Sequence, residues 1–294
     1  MSKVIEETLK ENRPKLSASS LKTYKSILTN LYKKIYDSSE YEISKFKDYK
    51  KFIDFLKDYD GSKRKTYLSA LSVLCPSVEQ YRELMNQDGQ KYNAEQKHQE
   101  KTDKQKETWV EQDELMKIFD ELQSEALQLY KLKKLSMTDI QKIQNYIILC
   151  LVSGKFISIR RSMDWTEMKI KNYDEDKDNY LKNWIFHFNI YKTSRFHNEQ
   201  QVVVKNELKK ILKKWIKLNE EREYLLFDSS GEKLTPTKLT QRLNKILGKK
   251  ASINILRHSF LSDKYKDIPA LEDLQAESLA MGHSLMEHLE YIKK

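Results

Sequence analysis

The sequence predicts a mainly α-helical protein that also contains a small antiparallel β-sheet. Apolar residues recur at helical spacing through most of the chain, which is the pattern of helices with one buried face. Two short segments in the second half are instead rich in aromatic and β-branched residues, and they predict strands. A polar stretch separates the halves. These observations together predict two domains, one all-helical and one built of helices and strands.

Residues 1–90 predict a small bundle of helices, which forms the first domain. Apolar side chains that recur every three or four residues mark the buried face of each helix. Ser62 is suited to cap the third of these helices and Pro76 to end it. Helices are expected over residues 21–35, 46–56, 62–75 and 78–85.

Residues 91–107 are predicted to form an interdomain linker. The stretch from Gln87 to Lys106 is dominated by polar and charged residues, with only Tyr92 and Ala94 available for burial. Such a segment contributes little to a hydrophobic core. A single long solvated helix is the alternative interpretation, and the sequence is compatible with both.

Residues 108–294 form the second predicted domain. Strands are expected over 184–191 and 201–204, because both segments are short and rich in β-formers. One helix has clear boundaries, since Thr235 can cap it and Gly248 lies just past its end. Helices are expected over residues 111–122, 138–151, 206–218 and 236–247, and again from 253 onward with breaks near 267–269 and at 282.

Lysine and arginine outnumber aspartate and glutamate by 54 to 44, which gives a net charge of +10. This balance favours a polyanionic partner, although a Lys-rich chain with a merely solvated basic surface gives the same charge. The longest apolar run, Tyr146 to Val152, is too short to cross a bilayer, so we expect a soluble intracellular protein. Cys75 and Cys150 lie in apolar stretches and are expected to be core residues.

Two arginine-bearing segments are candidates for chemistry. Arg160 and Arg161 are followed by Asp164, whose carboxylate lies one helical turn after Arg161 and is expected to orient its guanidinium. Arg257 lies at the otherwise apolar start of a helix, where a partly buried guanidinium indicates a fixed anion contact. A structural salt bridge is the alternative interpretation at both places.

Three more residues complete the candidate set. Lys192 lies in a polar turn between the two predicted strands, His283 follows Gly282 at a helix junction, and Tyr291 follows within the same segment. Taken singly, such a histidine is more often a cap, and one tyrosine among 17 more often packs in a core. In combination, guanidinium, amine, imidazole and phenol suit the attack of a tyrosine on a phosphodiester.

In this combination the sequence resembles the tyrosine recombinase (phage-integrase) family. The most specific motifs are Leu256-Arg257-His258-Ser259-Phe260 and Met281-Gly282-His283-Ser284, followed by Tyr291. The resemblance covers both halves of the chain. It implies an N-terminal helical core-binding domain at 1–90 and an α+β tyrosine recombinase catalytic domain at 108–294. The Lys-rich composition also resembles relatives from eukaryotic viruses and mobile elements.

The resemblance implies catalytic roles and also shows two departures from the family pattern. Asn254 stands where the family usually has a histidine, and its carboxamide can form hydrogen bonds but cannot carry a proton. His283 and Tyr291 lie one position closer together than is usual. The implied roles are the first arginine at Arg161, or at Arg160 by one register, the hairpin lysine at Lys192, the second arginine at Arg257, the late histidine at His283 and the nucleophile at Tyr291.

The activity implied by the resemblance is site-specific DNA recombination or integration through a covalent 3′-phosphotyrosine intermediate. The implied partner is double-stranded DNA bound by a homotetramer, with no metal and no cofactor. Two alternatives remain open. One is a DNA-relaxing enzyme similar to topoisomerase IB, and the other is a catalytically impaired relative that only binds DNA.

Overall fold

The computed structural model describes residues 3–194, 198–281, 284–286 and 289, which fold into two compact units. The first unit comprises residues up to Glu100 together with those from Pro269 onward, and the second runs from Lys101 to Ile268. The mainly helical fold with one small sheet confirms the predicted fold class. Among the described helices, none is long and apolar enough to span a membrane.

The helices of the first unit surround an aromatic core. Tyr32, Phe46, Phe52 and Tyr81 are fully buried, and the rings of Phe46 and Phe52 stack with their centroids 5.3 Å apart. The hydroxyl of Tyr81 donates a hydrogen bond to the backbone oxygen of Phe46 at 2.7 Å, so its polar group is satisfied inside the core. The elements are α1 (Lys3–Asn12), α2 (Ala18–Tyr36), a 3₁₀ turn (Ile43–Lys47), α3 (Tyr49–Leu56), α4 (Gly61–Leu74) and α5 (Glu79–Lys97).

Two helix starts in this unit differ from the prediction. Helix α4 is capped by Asp60 rather than by Ser62, because the Asp60 carboxylate accepts a hydrogen bond from the backbone N–H of Lys63 at 3.0 Å. The helix predicted over 46–56 is divided, since Phe46 lies in the 3₁₀ turn and α3 begins at Tyr49. Apolar spacing alone does not separate a 3₁₀ turn from the helix that follows it.

Helix α5 extends well into the predicted linker. The Arg64 guanidinium binds both carboxylate oxygens of Asp88, at 2.6 and 2.8 Å, which allows Asp88 to be buried inside the unit. Gly89 is also buried, against the side chain of Lys65. Asp88 and Gly89 thus pack through a polar pair, which a search for apolar periodicity does not detect, whereas residues 91–97 of the helix are all exposed.

The second unit packs its helices against a four-stranded sheet. Trp165 is fully buried, and its ring lies 5.2 Å from that of Phe186 and 5.6 Å from that of Phe188, centroid to centroid. Cys150 is buried in the same core and Cys75 in that of the first unit, as predicted. The elements are α6 (Asp103–Thr108), α7 (Gln112–Leu129), α8 (Met137–Val152), α9 (Ser162–Thr166), β1 (Met168–Lys169), β2 (Asn179–Lys182), β3 (Ile185–Phe188), β4 (Gln200–Val203), α10 (Asn206–Leu218), α11 (Pro236–Leu247) and α12 (Ile253–Lys264).

The sheet is mixed, which corrects the purely antiparallel sheet that the sequence predicts. Its strand order is β1-β2-β3-β4; the β2–β3 and β3–β4 pairings are antiparallel, whereas β1 and β2 pair in parallel. Residues 170–178, rather than a tight turn, join β1 to β2, and a longer connection of this kind permits parallel pairing. The sequence does not predict strand β2, because its first three residues are all buried and so lack the alternation of buried and exposed positions that marks a strand.

One further helix, α13 (Leu271–Ala280), groups with the first unit, although the sequence prediction places it in the second domain. The backbone N–H of Leu271 donates to Gln99 Oε1 at 2.8 Å. His98 Nδ1 lies 3.0 Å from a carboxylate oxygen of Glu272. These contacts join the start of α13 to the residues that follow α5.

Candidate active site

Arg160 is held firmly in place just before α9. Its Nε donates to Asp164 Oδ2 at 2.8 Å and its Nη1 donates to Gln200 Oε1 on β4 at 3.0 Å. The guanidinium carbon lies 3.7 Å from the centroid of the Phe188 ring, so the group also stacks on an aromatic face. Arg160 therefore ties the start of α9 to two strands of the sheet.

The expectation that Asp164 orients Arg161 is wrong by one register, because the carboxylate pairs with Arg160. Arg161 is the N-cap residue of α9, has an extended backbone and an exposed side chain, and forms no ion pair with Asp164. Burial raises the pKa of Asp164, although the charges of Arg160 and Arg161 oppose this shift. The carboxylate is thus stabilised mainly by an arginine that is itself committed to the fold.

Arg161 and Arg257 lie near enough for their charges to interact, although they are far apart in the sequence. Burial lowers the pKa of Arg257, and electrostatic repulsion from Arg161 lowers it further. Within the part of the chain that the structure describes, neither guanidinium forms a hydrogen bond or an ion pair with another side chain. The carboxylate of Asp164 partly offsets this repulsion, but its hydrogen bond goes to Arg160, so the guanidinium groups of Arg161 and Arg257 keep donors for an anion with several oxygens.

Helix α12 holds Arg257 in this position through close packing against two other segments. The Ser259 hydroxyl is buried, donates to the backbone oxygen of Val110 and accepts a hydrogen bond from Gln112 Nε2 at 2.9 Å. Phe260 packs on Gly154, where a Cβ atom would lie 2.3 Å from the ring. Gly154 also has a φ of +86°, which favours glycine, so α12 approaches the segment before Arg160 at a position that only glycine allows.

The hairpin that carries Lys192 lies next to the arginine cluster, by which we mean Arg160, Arg161 and Arg257. The guanidinium of Arg160 is 5.7 Å from the ring centroid of Tyr191, which immediately precedes Lys192. The side chain of Asn179 donates to the backbone oxygens of Asp164, at 3.2 Å, and of Ile190, at 2.8 Å. Asn179 thereby links α9 to the end of the hairpin strand. Lys192 itself is exposed in the turn that follows.

Three candidate residues remain, namely Asn254, His283 and Tyr291. Asn254 is exposed in the first turn of α12, on the same helical face as Arg257 three residues later. His283 and Tyr291 lie outside the described residues. No group of three or more His, Cys, Asp or Glu side chains among the described residues is arranged to hold a metal ion.

Sequence reasoning missed three residues that shape this site. Gln200 and Asn179 are polar side chains whose importance depends on partners in other strands and in α9. Nothing in their sequence neighbourhood distinguishes them from surface residues. Gly154 carries a detectable signal, because a glycine directly after a long apolar helix and before two arginines indicates a special backbone conformation.

The mainly helical fold is similar to that of a known site-specific recombinase. That structure is the XerH site-specific recombinase bound to a palindromic difH substrate, in a post-cleavage complex. The two chains are 17% identical, with a TM-score of 0.48, and the match covers 100% of this chain and 81% of XerH. No family model and no curated protein matches the sequence.

Proposed function

We propose that this chain is a site-specific DNA recombinase that cleaves and rejoins DNA strands through a covalent 3′-phosphotyrosine intermediate. The observation that carries the proposal is that Arg161 and Arg257 lie near enough for their charges to interact, while no carboxylate of the described chain forms an ion pair or hydrogen bond with either guanidinium. A phosphodiester has two non-bridging oxygens, and a pair of guanidinium forks matches them in charge and in geometry.

The chemistry follows from the phosphate that this pair would bind. The phenolate oxygen of Tyr291 attacks phosphorus, the bond from phosphorus to the 5′ oxygen breaks, and the 3′-phosphate becomes esterified to the tyrosine. Lys192 gives a proton to the departing 5′ oxygen, which is otherwise a poor leaving group. Arg161 and Arg257 stabilise the charge that builds on the non-bridging oxygens, and His283 adds a hydrogen bond. Attack by the 5′ hydroxyl of another strand reverses these steps.

Asn254 and Arg160 have supporting roles in this proposal. Asn254 lies on the face of Arg257 and can donate a hydrogen bond to the phosphate, but the proton of Tyr291 must leave by another route. Arg160 serves as a positioning residue, because its hydrogen bonds to Asp164 and Gln200 hold the start of α9 against the sheet. The substrate is double-stranded DNA, which the net charge of +10 favours, and strand exchange between two duplexes calls for a homotetramer.

Capture of the covalent adduct tests the proposal directly. The full chain is incubated with nicked duplexes that contain a randomised central region, denatured in detergent, and the DNA that stays attached to protein is sequenced. We expect wild type to retain DNA with a common sequence and Tyr291→Phe to retain none. Tyr265→Phe is the matched control, because Tyr265 is an exposed tyrosine outside the arginine cluster, and it should behave as wild type.

Each other outcome has a distinct meaning. An adduct without sequence preference, together with relaxation of supercoiled plasmid, would replace the recombinase with an enzyme similar to topoisomerase IB. DNA binding without any adduct would show a catalytically impaired relative and overturn the proposed activity. An adduct that persists in Tyr291→Phe would assign the nucleophile to a different residue.

A further inference from the structure

A second arginine site lies in the second unit, at the junction of α8, α11 and the turn after residue 227. Arg242 on α11 has a largely buried guanidinium, and burial lowers its pKa to about 10. Its Nε donates to Asn145 Oδ1 at 2.6 Å, and its two terminal nitrogens donate to the side-chain and backbone oxygens of Gln141. All of these acceptors are neutral.

The charge of Arg242 is not balanced by the residues around it. No carboxylate in the described part of the chain pairs with its guanidinium. A buried charge is costly unless an opposite charge accompanies it, and neutral acceptors satisfy its hydrogen bonds without cancelling its charge. Three of the five guanidinium N–H groups are used by Asn145 and Gln141, which leaves two for a further acceptor.

A cavity of about 880 Å³ opens beside this guanidinium. Lys238 and Lys245 line it as well, together with the hydroxyl-bearing residues Ser229 and Ser230. The one carboxylate in the lining is that of Asp228, whose oxygens are already bound by Lys238 Nζ at 2.6 Å and by the backbone N–H of Ser230 at 2.9 Å. The lining therefore carries more positive than negative charge, and both oxygens of the Asp228 carboxylate already accept hydrogen bonds.

The walls of the cavity are held in place by the core. The backbone oxygen of Phe227 accepts a hydrogen bond from the fully buried Gln144 at 2.7 Å, and the N–H of Phe227 donates back to Gln144 at 2.9 Å. Gln141 Nε2 donates to the backbone oxygen of Asp228 at 3.3 Å. The turn that carries Ser229 and Ser230 is thus fixed relative to Arg242 before any ligand binds, which reduces the entropic cost of binding.

We propose that this cavity binds a phosphate group, with Arg242 contacting its oxygens through the two remaining N–H groups and Lys245 contributing charge at the rim. The phosphate belongs either to the DNA backbone or to a free phosphorylated molecule, since both present the same tetrahedral oxyanion. The site differs from the pair formed by Arg161 and Arg257, and it does not depend on the proposed cleavage activity.

The test measures binding of inorganic phosphate to the full chain by calorimetry and by thermal unfolding, against sodium chloride of equal ionic strength. We expect phosphate to bind wild type and raise its unfolding temperature. Arg242→Gln should lose the phosphate bound in the cavity and its share of the stabilisation. Any phosphate held by Arg161 and Arg257 should remain bound, so Arg257→Ala serves as the background in which the cavity site is measured alone. Because loss of Arg242 can also impair folding, Lys245→Gln is the second variant, and it should weaken phosphate binding about tenfold. Lys213→Gln, an exposed lysine on α10 outside the cavity, should bind phosphate as wild type does.

A competition experiment separates the two sources of phosphate. If a short DNA duplex displaces inorganic phosphate from Arg257→Ala, the cavity holds a backbone phosphate of bound DNA. If phosphate binds Arg257→Ala equally with and without saturating DNA, the ligand is a free phosphorylated molecule. Absence of phosphate binding to Arg257→Ala would overturn the proposal. So would equal binding by Lys245→Gln and Lys213→Gln together with undiminished binding in Arg242→Gln, all measured in that background.

Discussion

Arg64 on α4 and Arg257 on α12 are both partly buried arginines on helices, yet their surroundings are opposite. Asp88 binds Arg64 through two hydrogen bonds and raises the pKa of that guanidinium. Arg257 has no such partner among the described residues, and burial together with the nearby charge of Arg161 lowers its pKa. An arginine neutralised by its own fold stabilises that fold, whereas one left beside another positive charge is available to an external anion.

The largest effect is expected when Arg257 is replaced by alanine. We expect the rate of covalent adduct formation to fall about a hundredfold to a thousandfold, since a donor to the charged transition state is lost. The thermal stability should not fall, because the substitution removes repulsion with Arg161. Single-turnover cleavage assays and thermal unfolding measure the two effects.

His258→Ala is the matched control for that comparison, since His258 is the exposed neighbour of Arg257 on the same helix. It should change neither the rate nor the stability appreciably. A large drop in the unfolding temperature of Arg257→Ala would show that Arg257, like Arg64, is structural.

Replacement of Asp88, which pairs with Arg64, should lower the stability of the fold, unlike replacement of Arg257. Asp88→Ala leaves Arg64 buried without a counter-charge and should lower the free energy of unfolding by about 3 kcal/mol. Urea unfolding measures this loss. Asp54→Ala removes an exposed acid that pairs with Lys57 and should cost less than about 1 kcal/mol. Equal effects of the two substitutions would contradict the importance of burial at Asp88.

Gly154→Ala tests how closely α12 must approach the arginine segment. We expect a loss of about 1–3 kcal/mol in stability, because alanine disfavours the φ of +86° and its Cβ would collide with Phe260. Cleavage should also slow, since α12 carries Arg257. Phe260→Ala removes the collision but not the backbone strain, so Gly154→Ala should cost less stability in a Phe260→Ala background than in wild type. An equal cost in both backgrounds would show that backbone strain alone is responsible.

The smallest expected effect concerns an exposed ion pair. Hydrogen bonds from Lys10 and Lys25 lower the pKa of Glu6 from 4.5 to about 2. A lowered pKa in the folded state means that the pair stabilises the fold above the unfolded pKa, and that this contribution disappears as the pH falls from 4.5 towards 2. Unfolding temperatures measured across this range should fall less steeply in Glu6→Gln than in wild type. If the unfolding temperatures of wild type and Glu6→Gln fell in parallel with pH, the lowered pKa of Glu6 would not contribute to stability.

The sequence predicted regular amphipathic elements well and polar packing poorly. Helices α10 and α11 have the bounds that were expected, because each combines a periodic apolar face with clear end signals such as Thr235 and Gly248. The sequence predicts α5 to be shorter than it is, because its second half has few apolar residues: Asp88 is buried through its pair with Arg64, and the residues after Gly89 are exposed. The parallel pairing of β1 was missed for a related reason, since pairing direction depends on the route of the connecting segment.

At the candidate site, the sequence identified the residue types but not how they pair. The sequence identifies Arg160, Arg161, Arg257 and Lys192 as candidates, but it assigns Asp164 to Arg161 whereas the carboxylate pairs with Arg160. The roles proposed for these residues, and for Asn254, His283 and Tyr291, remain predictions that the adduct experiment can test.

The sequence by itself determined the mainly helical class, most helix positions and the set of candidate catalytic side chains, because local periodicity and residue chemistry are written along the chain. Only the tertiary structure decided which arginines are neutralised. Arg160 pairs with Asp164 and Gln200, Arg161 and Arg257 have no carboxylate bound to them among the described residues, and Arg242 is partly buried with neutral acceptors. Charge compensation depends on contacts between residues distant in the sequence, and no local pattern encodes those contacts.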